Sequence, residues 1–502
     1  MHNESSPPYE GRGTAEDPYV VKFKPEDPAN PMNWSSARKW LYIGIANISV
    51  FAVTMTSSAY SVSSKEITRE FHSSSELFSL GIALYVLGFA VGPPLWAPMS
   101  ELYGRRLPFV LTLSALTAFV GATAGCKNMA SLLVLRFISG TFAASPLTNA
   151  GALIADLFPP HKRGLAMSLF SAAPFLGPVL GPVVGGFVSI TVGWRWVQGV
   201  CCILVGAVFV IGCALLPETY GPVVLRQIAR RLSQKSSKVY ISTFDLSNQS
   251  LKASTVFSKA AKRPWVLLFS EPIVLIAAIY LSIIYATIYM LLPAFPIIYS
   301  EERGWNAGIG SLPFLGIAVG MLAGMIHYIL DDRLRYQRQG KDVTPEDRLP
   351  PAMFGAVALP IGMFAFGWTT STSIHWSASV ILSTPFGYGC VLVFNSVLIY
   401  LVDSYTIFAA SVLAATAILR ALFGAGFPLF TSQMFRGLGT SWACSIPAFL
   451  TLVCLPFPFV MHRYGSKIRM ECKYAHEATI LMNQIQSTQP YSNSEANEEN
   501  KE

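Results

Sequence analysis

The sequence predicts an all-α polytopic membrane protein with twelve transmembrane helices, six on each side of a polar central segment. Hydrophobic residues make up 52% of the 502 residues and charged residues only 13%, whereas soluble domains carry about 25% charged residues. Apolar runs of about 20 residues, the length that crosses a bilayer as a helix, recur along the chain. This pattern excludes a soluble enzyme, a disordered chain and a disulfide scaffold. A transmembrane barrel is excluded because its strands alternate apolar and polar residues.

The predicted spans fall into two sets of six. They lie near residues 40–60, 77–99, 107–125, 130–156, 165–190 and 196–216, and then near 272–298, 307–330, 351–369, 376–402, 405–434 and 440–462. The predicted segments are therefore an N-terminal tail (1–39), a first bundle (40–216), a central loop (217–270), a second bundle (271–462) and a C-terminal tail (463–502). The first thirty-odd residues are polar and proline-rich, without the apolar core of a signal peptide, so we expect a solvated tail.

The placement of lysine and arginine predicts which face each loop occupies. If both tails are cytoplasmic and the spans alternate, 28 of the 36 lysines and arginines fall in cytoplasmic segments and six in external loops. The remaining two, Arg136 and Arg420, lie within spans. This asymmetry follows the positive-inside rule. The net charge of +8 then reflects topology, and we expect no nucleic-acid partner.

Motifs of metal sites and of common enzymes are missing from the sequence. The eight cysteines and seven histidines show no spacing typical of a disulfide framework or a metal site. The HExxH, GxSxG and GxxxxGK[ST] motifs do not occur. We therefore expect no metal, no cofactor and no enzymatic activity.

A charged motif ends span 2 in the segment Trp96-Ala-Pro-Met-Ser-Glu-Leu-Tyr-Gly-Arg-Arg106. Glu101 is placed to pair with a cation, and the glycine before the two arginines permits a tight turn. Arg105 and Arg106 are predicted to reach the inner end of span 4, where Asp156 lies at the same level. The alternatives are an ionic latch between helix ends and an ordinary positive-inside anchor.

Arg136 lies in span 4, about two turns inside the outer boundary. A charge within a span is costly unless it faces a cavity or a partner. Two interpretations remain open from the sequence: a functional arginine, and a structural one paired with backbone carbonyls or polar groups.

Span 5 contains Gly177-Pro-Val-Leu-Gly-Pro-Val-Val-Gly-Gly186. Glycines four residues apart, at Gly177, Gly181 and Gly185, share one helix face and allow a second helix to approach closely. Pro178 and Pro182 lack the backbone N–H that would donate a hydrogen bond within the helix, so they allow the helix to bend. We predict a hinge motif that also includes Gly186; small-residue packing alone is the alternative.

The plan of six spans, a loop and six spans, together with these three motifs, resembles the major facilitator superfamily and, within it, the fungal twelve-span drug–proton antiporters. The resemblance extends from Asn30 to about Arg469. Pro217-Glu-Thr219, Glu271-Pro-Ile-Val, Arg348-Leu-Pro-Pro and Phe427-Pro-Leu-Phe430 also look like this branch. One departure is that Ala97 and Glu101 occupy places where the family has glycine and aspartate. A second full copy of the latch is not evident, although Asp331, Asp332 and Arg333 are candidates for its remnant.

The resemblance implies two six-helix bundles that rock about a central site. It links Arg136 with proton transfer, and the glycine–proline repeat marks exporters. Residues of cavity-facing helices are predicted to bind substrate, because polar-tipped aromatics suit amphipathic organic molecules; singly, each also fits a core or interface role. These candidates are Asn149, Tyr285, Tyr289, Tyr388, Asn395 and Arg420.

The function that follows is proton-coupled export of small organic molecules, such as drugs, toxins or secondary metabolites. The proton gradient is the expected energy source, with Asp156 and Glu101 as candidate carriers and Glu66 and Glu301 as further ones. The alternatives are a transporter of one metabolite, such as an organic acid or a polyamine, and a non-transporting sensor. We expect a monomer in the plasma membrane with both termini cytoplasmic, the vacuolar membrane being the alternative.

Overall fold

The computed structural model describes residues 9–24, 26–159, 163–236, 238–247, 253–339, 344–478 and 480. Within them, eleven helical segments are long and apolar enough to cross a membrane. The last of these, Ala409–Glu471, has 63 residues, which suffices for two crossings. It is interrupted at Gly439, whose φ of 74° is not helical and suits glycine. The twelve predicted spans are thus accounted for, and the predicted fold class is confirmed.

The chain forms two compact units. The first comprises Met1–Ala261 and Leu291–Phe314, and the second comprises Lys262–Met290 and Leu315–Glu502. Spans 1 to 6 lie in the first unit, as helices Ser36–Ala59, Ser75–Val91 with Pro93–Tyr103, Arg106–Ala124, Met129–Leu157, Gly164–Val192 and Trp194–Leu215. Its shorter helices are Pro31–Asn33, Tyr60–Ser63, Ser64–Glu70, Gly221–Ser236, Thr243–Ser247, Pro296–Glu302 and Ala307–Ser311.

The second unit contains spans 8 to 12 and most of span 7. Span 7 is Pro272–Phe295, and it is preceded by the helix Ala253–Ser270. Spans 8 and 9 are Phe314–Gln339 and Pro350–Thr369, and span 10 consists of the two helices Trp376–Leu382 and Thr384–Ser404. Spans 11 and 12 share the long helix Ala409–Cys454, which is followed by the helix Pro456–Glu471. The short helices are Pro345–Arg348 and Thr406–Phe408.

Polar side chains cap several helix starts. Ser74 Oγ accepts a hydrogen bond from the Leu77 backbone N–H at 3.3 Å, and Asn128 Oδ1 accepts one from Ser131 N–H at 2.8 Å. The first N–H groups of a helix have no carbonyl within the helix to bind, so these caps satisfy donors that would otherwise need water.

The glycine face of span 5 packs directly on span 1. A Cβ at Gly177 would lie 2.0 Å from Thr54 Oγ1, and one at Gly181 would lie 2.0 Å from Ser58 Oγ. The two hydroxyls also donate across the contact, Thr54 to the Ala173 carbonyl and Ser58 to the Gly177 carbonyl, each at 3.4 Å. The missing side chains therefore set how closely the two helices approach.

The N-terminal tail is folded rather than solvated between Tyr19 and Val21. These residues form strand β1, which pairs in parallel with strand β2, Tyr240–Ser242, in the central loop. Val21 is only 2% exposed and packs with Leu225 and Ala229 of the helix Gly221–Ser236. The expectation of a solvated tail is wrong here because the short apolar run pairs with a segment more than 200 residues away, which local polarity does not reveal.

We expect Gly181→Ala to destabilise the protein by about 1–3 kcal/mol, the usual cost of forcing extra atoms into a close contact. Gly44→Ala is the matched control, since a Cβ at Gly44 meets nothing within 4 Å. Thermal unfolding of the purified variants in detergent tests this expectation. Equal unfolding temperatures for the two variants would contradict the packing of span 5 on span 1.

We expect Val21→Asp to release β1 from β2, because a carboxylate cannot be buried against Leu225 and Ala229 without a partner. Hydrogen–deuterium exchange of peptides covering Tyr240–Ser242 measures the release on the opposite strand. Lys24→Asp, at an exposed position of the same tail, is the control and should leave exchange unchanged. Slow exchange in Val21→Asp would show that the strand pair does not depend on this cluster.

Candidate functional site

Arg105 lies at the centre of an ionic cluster at one end of the first unit. Its Nε donates to Asp156 Oδ2 at 2.9 Å, and its Nη1 donates to Ser100 Oγ at 2.7 Å. The side chain is largely buried, as is Asp156. The turn between spans 2 and 3 that places Arg105 needs Gly104, which has a φ of +92°. The structure thus brings together the span 2 motif and the end of span 4.

Glu218, just beyond span 6, completes this cluster. Its carboxylate accepts backbone N–H bonds from Arg105 at 2.8 Å and from Arg106 at 3.2 Å. A Cβ on Gly104 would lie 2.1 Å from Glu218 Oε2, so glycine leaves the space that the carboxylate occupies. We did not predict this role of Glu218 from the sequence. The feature that could have indicated it is the position of an acid directly after an apolar span, in Pro217-Glu-Thr219.

Two of the predicted latch residues lie outside the ion pair. Arg106 is exposed, and its Nη2 donates to the Cys213 carbonyl at 3.2 Å. Glu101 is also exposed, and no described residue forms an ion pair with it within 4.0 Å. Of the motif's charged side chains, Arg105 is therefore the one that binds Asp156.

The cluster extends into the central loop. The Tyr220 ring stacks on the Arg105 guanidinium, 4.5 Å from its centroid, and burial raises the pKa of the Tyr220 hydroxyl. Arg226 donates to the Leu102 carbonyl at 3.3 Å and pairs with Asp245 at 2.6 Å. Hydrogen bonding from Arg226 lowers the pKa of Asp245, so this pair stays charged at neutral pH.

Arg136 is held by backbone carbonyls from two other spans. Its guanidinium donates to Gly81 O at 3.1 Å, Thr56 O at 3.0 Å and Ser57 O at 2.7 Å. It also lies 4.5 Å from the ring centroids of Tyr60 and Tyr85. This geometry fits the structural interpretation, in which Arg136 ties span 4 to spans 1 and 2. A role in proton transfer stays a prediction.

The hinge-motif residues are all buried in span 5. Gly185 faces span 1, where a Cβ would lie 2.7 Å from the Ala59 carbonyl oxygen. Gly186 faces Ala307, and a Cβ at Gly186 would lie 2.6 Å from the Ala307 carbonyl oxygen. Pro178 and Pro182 are tolerated inside the helix. Motion about this motif stays a prediction.

A second ionic cluster lies in the second unit. Arg348 pairs with Asp332 at 2.6 Å and with Asp403 at 3.1 Å. Burial alone would lower the pKa of Arg348, but its neighbours, Asp403 first among them, raise it. Asp331 pairs with Arg335 at 2.5 Å. The second unit thus has its own ionic cluster, with Arg348 at the centre instead of Arg333.

The substrate candidates separate into isolated residues and one group. Asn149 Nδ2 donates to Ser145 Oγ at 3.1 Å, and the Tyr388 hydroxyl hydrogen-bonds His327 Nδ1 at 2.5 Å. Both amide atoms of the fully buried Asn395 lack a partner among the described residues. Among the contacts of the described residues, those that join substrate candidates to one another involve Tyr285, Tyr289 and Arg420.

The group is built from spans 7, 10 and 11. The Arg420 guanidinium lies 5.1 Å from the centroid of the Tyr285 ring and 5.0 Å from that of Phe394. The hydroxyls of Tyr285 and Tyr289 are 3.4 Å apart. We did not single out Phe394 from the sequence, since an apolar ring in an apolar span carries no signal of its own.

Comparison with known proteins assigns the family. The sequence profile of the Major Facilitator Superfamily matches residues 46–428. The chain belongs to the major facilitator superfamily. It is similar to the major facilitator-type transporter sorT of Penicillium rubens, with 56% identity over 96% of this chain and 93% of sorT. The MFS-type efflux pump MFS2 of Trichophyton rubrum is 53% identical over 95% of this chain and 81% of its own length.

Further relatives and solved structures agree with this family. The major facilitator superfamily multidrug transporter mdrA of Aspergillus fumigatus is 50% identical over 95% of this chain and 79% of mdrA. The solved structure of the proton:xylose symporter XylE has a TM-score of 0.61 at 16% identity and covers 86% of this chain and 96% of XylE, which shows a shared fold. The chain is therefore a multi-pass membrane transporter, and the fungal efflux branch suggested by its motifs is confirmed.

In this major facilitator protein, we expect Asp156→Asn to destabilise the first unit by about 3–5 kcal/mol, because it leaves a buried guanidinium without its counter-charge. Asp17→Asn is the matched control, since Asp17 pairs with Arg12 on the surface and such pairs contribute about 0–1 kcal/mol. Thermal unfolding in detergent compares the two variants. If they unfold at the same temperature, the Arg105–Asp156 pair does not hold the cluster.

Proposed function

We propose that this chain exports small organic molecules across a membrane in exchange for protons. One observation carries the export direction: relatives about half identical over 95–96% of the chain include proteins named efflux pumps and multidrug transporters. Substrates of this class include drugs, toxins and secondary metabolites. The glycine–proline repeat of span 5 supports the same direction by family resemblance.

The ionic clusters support a gating role within each unit. Arg105–Asp156 and Arg348–Asp403 each join the end of one span to a loop beside another. Such pairs weaken when water reaches them, since the attraction between charges falls as the local dielectric rises. We propose that they hold one state of the transport cycle and open in another, as alternating access requires.

Proton coupling requires a group that is not already engaged in structural bonds. Glu101 is exposed and forms no ion pair with a described residue, whereas Asp156 binds Arg105. Glu66 accepts bonds from Ser189 Oγ at 2.8 Å and Trp194 N at 2.7 Å, so it caps a helix start. We therefore propose Glu101 as the first carrier to test and Asp156 as the second.

A transporter of one metabolite is the second candidate function. Arg420 favours an organic acid over a polyamine, because two cations in a low-dielectric span repel each other. The proposed location is the plasma membrane with cytoplasmic termini, with the vacuolar membrane as the alternative, and the proposed active form is a monomer.

Purified protein in liposomes loaded with acidic buffer tests export. We expect a fluorescent organic dye to accumulate in vesicles in which the cytoplasmic face points outward, and to leak back when a protonophore removes the gradient. Glu101→Gln should lower gradient-driven accumulation at least tenfold, as expected from losing the proton-binding group. Asp17→Asn is the control and should transport normally.

The contrary outcomes are distinct. Accumulation that persists without a proton gradient would refute coupling while leaving transport in place. Dye binding by folded protein without any accumulation would support a non-transporting sensor.

A further inference from the structure

Arg420 lies near the middle of the membrane. The Tyr405 hydroxyl donates to Glu271 Oε2 at 2.8 Å, so the start of span 7 and the end of span 10 are at one level. From the helix ends near that level, Arg420 is eleven residues after the start of span 11 and Tyr285 is thirteen residues after the start of span 7. Phe394 is ten residues before the end of span 10. At about 1.5 Å per residue, all three lie about 15–20 Å deep in a hydrocarbon layer about 30 Å thick.

The guanidinium of Arg420 has no counter-charge in the part of the second unit that the structure describes. No described residue forms an ion pair or hydrogen bond with it, and its neighbours are the rings of Tyr285 and Phe394. Nor do spans 7, 10, 11 and 12 supply an acid at this depth, because residues 272–298, 376–402 and 404–470 contain no aspartate or glutamate. Arg420 therefore differs from Arg136, whose guanidinium binds three carbonyls.

An arginine in this setting needs a polar partner. Ring faces offset only part of the lost hydration of a guanidinium. Arginine side chains within spans that lack protein partners usually face a substrate pathway. Because no described residue accepts a hydrogen bond from Arg420, its planar fork retains donors for a molecule that enters the bundle.

We propose that Arg420 binds the carboxylate of a substrate whose ring stacks against Tyr285 and Phe394. This inference rests on the proposed function and specifies its substrate class as planar organic acids. A guanidinium offers two parallel N–H donors that match the two oxygens of a carboxylate. The aromatic neighbours supply the apolar part of the site, and the paired hydroxyls of Tyr285 and Tyr289 lie beside it.

A lipid or free phosphate would share the same anionic chemistry. The depth of the site speaks against a phosphate group of a lipid, which stays at the interface. The rings beside Arg420 also favour a ligand that carries its own apolar plane, which inorganic phosphate lacks.

Calorimetric titration of purified protein in nanodiscs tests the proposal with 1-naphthoate and its neutral isostere 1-naphthamide. We expect naphthoate to bind wild-type protein more tightly than naphthamide. Arg420→Gln should weaken naphthoate about 10- to 100-fold, the effect of losing hydrogen bonds to a charged group, and should leave naphthamide unchanged. Arg420→Lys should fall between, because it keeps the charge but loses the fork.

Controls separate binding from folding. Arg463→Gln removes an exposed arginine and should bind naphthoate like wild type, and unfolding temperatures verify that each variant is folded. The proposal is overturned if wild-type protein does not bind naphthoate, or binds naphthoate and naphthamide with equal affinity. It is also overturned if folded Arg420→Gln loses affinity for both ligands equally, or if millimolar phosphate displaces naphthoate.

The two hypotheses fail differently. Dye export driven by protons, with naphthoate binding insensitive to Arg420, would refute the carboxylate site and leave the exporter intact. Arg420-dependent naphthoate binding without any transport would leave the site intact and refute the exporter.

Discussion

The pairing of buried charges is the constraint on which much of this molecule depends. Arg105, Asp156 and Glu218 come from three separate places in the chain, and their mutual bonds fix the ends of spans 2, 4 and 6. A buried charge that loses its partner is costly, because the protein interior does not restore the hydration that the charge gave up. The same constraint explains why Arg136 binds carbonyls of spans 1 and 2 and why Arg348 lies between two aspartates.

Close packing complements these ion pairs. Spans 1 and 5 meet where glycines on one helix face threonine and serine hydroxyls on the other. Lipid tails are as apolar as leucine, so bulky side chains gain little by leaving them for another helix. Contact between backbones and hydrogen bonds across the interface therefore carry the association, and both require small residues.

The spans and the family were predictable from the sequence because length, hydropathy and charge asymmetry are local or cumulative properties. The level of Asp156 at the end of span 4 similarly indicated that it lies beside the arginines after span 2. Glu218 was missed because its acceptor role depends on backbone groups more than 100 residues away. Strand β1 was missed for the same reason. Arg348 was not predicted as the partner of Asp332 because it lies 16 residues further along the chain.

Strands β1 and β2 have a topological consequence. Hydrogen-bonded strands must lie on one face of a membrane, and β1 precedes span 1 whereas β2 follows span 6. The number of crossings between them must therefore be even, which six satisfies and five or seven would not. The pairing of β1 with β2 thus requires the first unit to have an even number of membrane crossings between the two strands. Because β1 is synthesised first, the two strands can pair only after the chain through all six helices and β2 has been synthesised.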